Sequence, residues 1–547
     1  MSLRPQLVEP VPLLTQQIAK AAFPRGNLYI QMREELGTFF TDQNFHDLYP
    51  KRGKPGIEPW RLALVTVMQF VENLSDRQAA EAVRARIDWK YALSLELEDP
   101  GFDFSVLCEF RARLLEADAE SLLLDKMLEV FAEKKLLKAR GRQRTDSTHV
   151  LAAIRTMNRL EVITETLRAT LNDLATIAPE WLREVASADW QQRYSRRAEQ
   201  TRLPHGEKAR KEYALLVGHD GARLLKLIAE QQPDLNKLAS VQTLQKMWER
   251  HFARSETAQL LWRKDAELPR AATAIESPYD IEARHSNKRD LSWTGYKVHL
   301  TETCDPDLPR LVTHVHTTVA TTQDVSCTAA IQQGLADKEL LPSRHLVDCG
   351  YVDADLLVSS QQKHQVELFG PARYNPSWQA REGGYDLYQF KVDWEKEKVT
   401  CPEGKETIWW ARDKEKPGVV SRIRSRFSPR DCAACPTRSK CVRSEAGRAR
   451  TVVLQDRVQY EALRNTRTQM TSEAGRKEYQ IRAGVEGSLS ESIRRCGLRQ
   501  ARYRGLAKTH LQHLATAAAM DVVRVMNHLQ GKPLAPTRTS RFAQLYA

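Results

Sequence analysis

The chain has 547 residues, 28% of them charged and 41% hydrophobic, with a formal charge of +13. This balance suits several soluble domains with a sizeable core and excludes disordered, collagen-like and coiled-coil chains, while so basic a protein is expected to meet a polyanion, nucleic acid before a membrane surface. No run of 18 apolar residues and no signal-like start are present, and nine scattered cysteines do not make a disulfide framework, so a cytoplasmic, nucleoid-associated protein with no membrane partner is expected.

Residues 1–50 read as an arm that leads through the basic connector KRGKPGIEP into helical patterns. From Pro59 an apolar stripe through Leu62, Val65 and Phe70 predicts a first helix. Ser75 and Gln78 form an S-x-x-Q capping box for a second, and a third can begin at Ser105 and carry Arg111 and Arg113. Three short helices with basic exposed positions suit a helix-turn-helix DNA reader over 51–140. They suit equally a plain helical bundle with a solvated basic face.

RQRTDSTHVLAA, at 142–153, changes to strand character with Asp146 in its middle. A helical stretch then fills 156–275, with Trp181, Trp190, Trp248 and Trp262 as packing anchors. Strand patterns return at YKVHLTETC (296–304), LVTHVHTTVA (311–320), RHLVDCGYVD (344–353) and VELFGP (366–371), with helices able to start after Asp324 and at Ala354. Residues 375–460 read as a β-rich module with four cysteines. The stretch 461–530 is helical, strongly basic across RRCGLRQARYRGLAK (494–508), and 531–547 reads as a flexible tail.

Two kinds of site stand out. Asp146 and Asp348 follow strand-like residues, where a carboxylate risks burial unless a cation compensates it; either alone would ordinarily be a turn or capping residue. Tyr479, Arg482 and Glu486, at i, i+3 and i+7, share one helical face, and Gly484 and Gly487 beside Glu486 would admit a substrate backbone. In the module, Cys432 and Cys435 form a C-x-x-C pair, Cys441 follows closely, and Cys401 lies about 30 residues upstream. Four thiolates at this spacing would hold one structural Zn²⁺; the alternative is four reduced thiols in a basic loop.

RTDSTHV, HLVDCGYVDADLL and the Tyr-x-x-Arg-x-x-x-Glu arrangement resemble the three acidic motifs of bacterial insertion-sequence DDE transposases. EGSLSESIRRCGLRQARYRGLAKTHLQHLATAAAMDVVRV is similar to that family's last helices, and residues 55–115 to its N-terminal DNA-binding domain. The resemblance implies an α/β fold: an RNase H-like mixed sheet flanked by helices, built from 141–155, 276–374 and 461–530. To this are added an N-terminal all-α domain, a helical insertion (156–275) and a β-rich cysteine-containing insertion (375–460). It implies two Mg²⁺ (or Mn²⁺) ions on Asp146, Asp348 and Glu486, and a homodimer acting on double-stranded DNA, both the element's terminal inverted repeats and the target. Arg482 and Tyr479 would meet the DNA, and Trp409 or Trp410 would stack on an unpaired base. Where relatives carry a Lys seven residues after the Glu, this chain has Ile493, so Arg494 or Arg495 would supply the phosphate contact. A nuclease without strand transfer and an inactive DNA-binding derivative are the rival readings.

Overall fold

The computed structural model describes residues 2–200, 203–269, 273–373, 375–413, 422–444, 448–533 and 541–545. Most of the tail expected to be flexible therefore lies outside the described residues.

The N-terminal region is not a detached arm. Helices α1 (Leu13–Ala22) and α2 (Leu28–Leu36) precede α3 (Pro59–Val71), α4 (Asp76–Ala85), α5 (Ile87–Ala92), α6 (Ser105–Glu116) and α7 (Leu122–Glu133). Tyr29, Met32, Phe39, Phe40 and Phe45 are buried in the same apolar cluster as α3. Ser75 caps α4 through the capping box with Gln78 that the sequence announces. Helix α3 is buried on every side except at Arg61, which is unusual for a surface helix and has a simple cause. The long helix α20 (Leu506–Leu529), itself almost wholly buried, packs against it. Most of the N-terminal helices thus share one core with the central sheet and α20.

The central sheet has six strands. β1 (Arg140–Leu151) lies between β5 (Leu291–Thr303), antiparallel to it, and β7 (Pro342–Leu346), parallel to it. β8 (Glu367–Phe369) runs parallel to β7, while β4 (Arg284–Lys288) and β6 (Val312–Val319) both pair antiparallel with β5. Helices α13 (Thr328–Ala336) and α14 (Ala354–His364) provide the right lengths for the parallel crossovers.

Two further bodies hang on this frame. Between β1 and β4, α8 (Arg159–Ile177), α9 (Pro179–Val185), α10 (Ala188–Tyr194), α11 (Glu207–Gln231) and α12 (Ala239–His251) enclose a separate apolar cluster around Trp190 and Trp248. Trp262 belongs to a small hairpin, β2 (Phe252–Arg254) and β3 (Leu260–Trp262), so the stretch is not helical to its end. After β8 come the short helix α15 (Trp378–Arg381), the strands β9 (Lys391–Asp393), β10 (Lys398–Thr400), β11 (Thr407–Arg412), β12 (Ile423–Phe427) and β13 (Thr451–Leu454), and α16 (Pro429–Ala433) between β12 and β13. They close over a small core of Phe390, Val399, Phe427 and Tyr460. Helices α17 (Arg457–Thr471), α18 (Glu473–Gln480) and α19 (Gly484–Cys496) then return the chain to the sheet, and α21 (Arg541–Gln544) is the last described helix. No described helix is long and apolar enough to cross a membrane.

The return is fixed by buried charge. Glu302 of β5 is 1% exposed and accepts from Arg144 Nε at 2.7 Å and from Arg524 Nη1 at 2.9 Å. Burial pushes its carboxyl up, but Arg524 and Arg144 outweigh this and hold it below its ordinary value. Arg144 also donates to the Ile481 carbonyl at 2.5 Å, and Arg524 bonds Glu491 of α19 at 2.9 Å. One buried carboxylate thus ties β1, β5, α19 and α20 together. Glu302→Gln would leave the buried Arg144 guanidinium without its anion and Arg524 with Glu491 alone, and is expected to cost about 3–5 kcal/mol. Urea unfolding would measure it, and a loss below about 1 kcal/mol, the scale of an exposed pair, would contradict this role.

Candidate active site

Asp146 and Asp348 come together through strand register. The parallel pairing sets Arg144 beside Leu346, a difference of 202 positions, and the same step carries Asp146 to Asp348. Asp348 lies just beyond its strand, which is shorter than the 344–353 pattern suggested: β7 ends at Leu346, and Asp348 caps a 3-10 turn, its Oδ1 accepting from the Gly350 N–H at 2.7 Å. Asp146 Oδ1 accepts from the Ser147 N–H at 2.8 Å. Burial raises the Asp146 carboxyl above its ordinary pKa, and Arg482 offsets only part of that rise.

The third motif does not lie on one continuous helix. α18 stops at Gln480, a 3-10 turn spans Ile481–Ala483, and α19 starts at Gly484. The turn delivers Arg482 between the acids: its Nη2 is 2.6 Å from Asp146 Oδ2 and 3.9 Å from Asp348 Oδ2, and its Nη1 is 3.7 Å from Glu486 Oε1. The three acids of the sequence therefore converge on one guanidinium. Glu486 remains 69% exposed, open to an incoming ligand, against 15% for Asp146. Tyr479 packs beside them against Cys304, Leu346 and Phe369. Gly484 has a different use from the one expected: a Cβ there would collide with the Arg144 guanidinium, so the close approach is that of a side chain of the protein. The space at Gly487 is open.

Among the described residues no group of three or more His, Cys, Asp or Glu side chains is placed to hold a metal ion. For the acids the reason is visible, because the Arg482 cation stands where their charges meet. For the cysteines, Cys401, Cys432, Cys435 and Cys441 line one small cavity with Phe390 and Phe427 but form no closed ligand set. The Cys401 sulfur accepts from the Lys405 N–H at 3.3 Å, and burial pushes the Cys441 thiol up to about 11, favouring the protonated form. The expected zinc centre is unsupported.

Other expected DNA contacts are redistributed. Arg111 is 6% exposed, pairs with Asp76 at 2.5 Å and lies over the Tyr503 ring, so it pins α4 to the loop after α19 and does not face solvent. Arg113 lies over Tyr49. Arg495 donates to the Val71 carbonyl at 3.3 Å, Ile493 turns against the core, and Arg494 is exposed. Trp409 is 43% exposed, with Arg426 over its ring, whereas Trp410 packs edge-on against Trp394.

Comparison with known families adds two matches. A family described as the transposase DDE domain matches residues 400–526, and one described as a transposase domain matches residues 17–113. Both support a DDE-type transposase of insertion sequences. The first span carries Arg482 and Glu486; the second begins inside the supposed arm, in keeping with its burial. Asp146 and Asp348 lie outside both spans. No curated protein and no solved structure matches the chain.

Several residues around this candidate site had no sequence signal strong enough to select them. Beneath the aspartates, Tyr351 bonds His299 Nδ1 through its hydroxyl at 2.6 Å, and Thr145 bonds His345 Nε2 at 2.6 Å. Thr145 lies inside RTDSTHV, and His345 and Tyr351 inside HLVDCGYVDADLL, whereas His299 lies outside all three acidic motifs. Burial lowers His299 to about 3 and His345 to about 4, so both rings are neutral in the folded transposase. Unfolding lets them take up protons below about pH 6.5, so their contribution to stability is lost as pH falls from there towards their folded values. Denaturant midpoints are expected to drop between pH 7 and pH 5, with a shallower drop in His345→Gln. An equal slope in the variant would remove His345 from this account.

Proposed function

We propose that the chain cleaves DNA at the terminal inverted repeats of an insertion sequence and joins the freed 3′ ends to target DNA. The observation that carries this reading is the meeting of Asp146, Asp348 and Glu486, from three distant segments, around a single cation position. The strand order and directions of the central sheet suit an RNase H-like core, with the first acid on the central strand and the second just beyond its parallel neighbour.

Asp146, Asp348 and Glu486 would hold the divalent cations, Mg²⁺ or Mn²⁺, two in a full site. Bound there, such ions supply an activated oxygen nucleophile and neutralise charge on the leaving oxygen. The remaining work falls to the protein. Asp146 and Asp348 are pre-positioned by the backbone N–H groups of Ser147 and Gly350, while exposed Glu486 completes the set as substrate arrives. Arg482 keeps the acids together as an internal counter-ion, and once they are otherwise neutralised its guanidinium is free to take a phosphate next to the scissile bond. Attack by water at phosphorus breaks the P–O3′ bond, giving a 3′-hydroxyl and a 5′-phosphate; attack by that hydroxyl on target DNA repeats the exchange without a covalent protein intermediate. Arg494 offers a further phosphate contact. Of the two tryptophans, Trp409 is placed to stack on an unpaired base, since Trp410 is committed to Trp394. Holding two element ends at once calls for a homodimer on DNA.

Asp146→Ala, Asp348→Ala and Glu486→Ala are each expected to abolish metal-dependent cleavage of a plasmid carrying the element ends. Binding of an end duplex should stay within a few-fold, because affinity comes from phosphate contacts by Lys and Arg. Cleavage retained in one variant would remove that residue from the triad, and cleavage without joining of a pre-cut end would favour a plain nuclease. Trp409→Ala should slow cleavage while Trp410→Ala chiefly lowers stability; wild-type cleavage in Trp409→Ala would dismiss the stacking role.

A further inference from the structure

A cavity of about 530 Å³ opens between the turn that carries Asp348, the β-rich module and α17. Its size falls in the range of about 300–1,000 Å³ typical of small-molecule sites. Val352 and Asp353 form one wall, directly after the turn, and Arg373, Tyr388, Arg450 and Arg467 line others. Arg373 Nη2 reaches the Gly350 carbonyl at 3.5 Å, and the N–H of the same Gly350 holds Asp348 at 2.7 Å. Gly350 thus touches both Arg373, which lines the cavity, and Asp348 of the acid pair.

The three arginines are short of anions. Among the described residues they bond carbonyls alone: Arg450 that of Cys441 at 3.2 Å, Arg467 that of Arg373 at 3.4 Å, and Arg373 that of Gly350. Arg450 Nε and Arg467 Nη1 are buried with no hydrogen-bond partner among the described residues. Of the nearby carboxylates, Asp353 accepts from the Leu356 N–H at 2.7 Å, and Asp386 accepts from the Tyr388 N–H at 3.0 Å and acts on Arg450 and Arg467 through its charge alone, with no hydrogen bond to either among the described residues. Arg467 is held against the Tyr388 ring, 4.0 Å from its centroid, so its orientation is set in advance. Desolvated guanidiniums without a carboxylate are costly, and the planar fork of arginine matches phosphate oxygens in pairs.

We propose that this cavity is a binding site for a phosphate group of the DNA strand being cut, held by Arg450 and Arg467 with Arg373 at the rim. The proposal rests on the reading of the chain as a DNA-cutting enzyme and adds a destination for the strand beside the acids. The phosphate can be internal to the strand or the 5′-phosphate that cleavage releases. Two negative aspartates repel that new dianion, and beyond Arg482, which is engaged with the acids, the cavity offers it compensating charge.

The test uses the full chain in EDTA, without cleavage, and follows anisotropy of a short labelled single-stranded oligonucleotide bearing a 5′-phosphate or a 5′-hydroxyl. Arg450→Gln and Arg467→Gln are expected to weaken binding about ten-fold, the scale of one charge-assisted hydrogen bond, and Arg467→Lys to weaken it less. Loss confined to the 5′-phosphate oligonucleotide assigns the terminal group, and equal loss on both assigns an internal one. Unchanged affinity in both Gln variants overturns the site. A second measurement needs no variant: deoxyadenosine 5′-monophosphate should slow phenylglyoxal modification of Arg450 and Arg467 in the wild type, and deoxyadenosine should not. Equal rates with both would also overturn the site. Phosphate binding of this kind in a chain that never cuts DNA would defeat the transposition reading and leave the cavity standing; normal cutting with unchanged binding would defeat the cavity alone.

Discussion

The arrangement of the candidate site depends on Glu302, a carboxylate buried in the middle of the sheet and shared by two arginines. Arg144 reaches it from the same strand that carries Asp146, two residues away, and Arg524 from the helix that covers the sheet. Because Arg144 also holds the Ile481 carbonyl, the residue immediately before Arg482, the distance between the first and third acidic motifs is set by one side chain. Hydrophobic packing alone would let α19 slide, being non-directional; an ion pair with fixed hydrogen-bond geometry does not. Gly484 belongs to the same device, since a larger residue would drive Arg144 off its carboxylate.

The positive charge of the chain is spent in two ways. Arg111, Arg144, Arg495, Arg502 and Arg524 are built into the protein, bonding carboxylates or carbonyls where the N-terminal helices meet the loop after α19 and where the sheet meets its cover. Arg502 donates to the Leu74 carbonyl at 2.8 Å and to Asn73, so the turn between α3 and α4 is stitched to the C-terminal region. The N-terminal helices are therefore tied to the C-terminal segment that follows the third acidic motif. Arg373, Arg450 and Arg467 are of the other kind, hydrogen-bonded to carbonyls and in no ion pair among the described residues.

The site itself balances cost and readiness. Asp146 is buried and its ionised form is disfavoured, yet Asp348 stands next to it and both face a cation. Two neighbouring carboxylates without such compensation would repel each other, and one would hold a proton. Arg482 supplies the compensation from inside the chain. The neutral imidazoles of His299 and His345 beneath them add hydrogen bonds without adding charge, so the field at the acids is governed by Arg482 and whatever ligand replaces it.

Much of the frame was legible in the sequence, because alternation along 296–304 and 311–320, the Ser75–Gln78 capping box and the helix start at Ala354 are local properties written in consecutive residues. The three acids were legible too, since their short motifs travel together in a recognisable order. Contacts between distant segments were not. Whether Arg111 reads DNA or pins a turn depends on Asp76 and Tyr503, which lie 35 positions before it and nearly 400 after it along the chain. Whether four cysteines close on an ion depends on angles between loops that spacing does not record. Helical spacing placed Tyr479, Arg482 and Glu486 on one face, but the pull of Arg144 on the Ile481 carbonyl accompanies a tighter turn that aims Arg482 inward. The sequence by itself determined which residue types were present and which local elements they would form; tertiary structure alone decided which charges were buried against each other and which were left for a ligand, because that choice depends on desolvation by segments far apart in the chain.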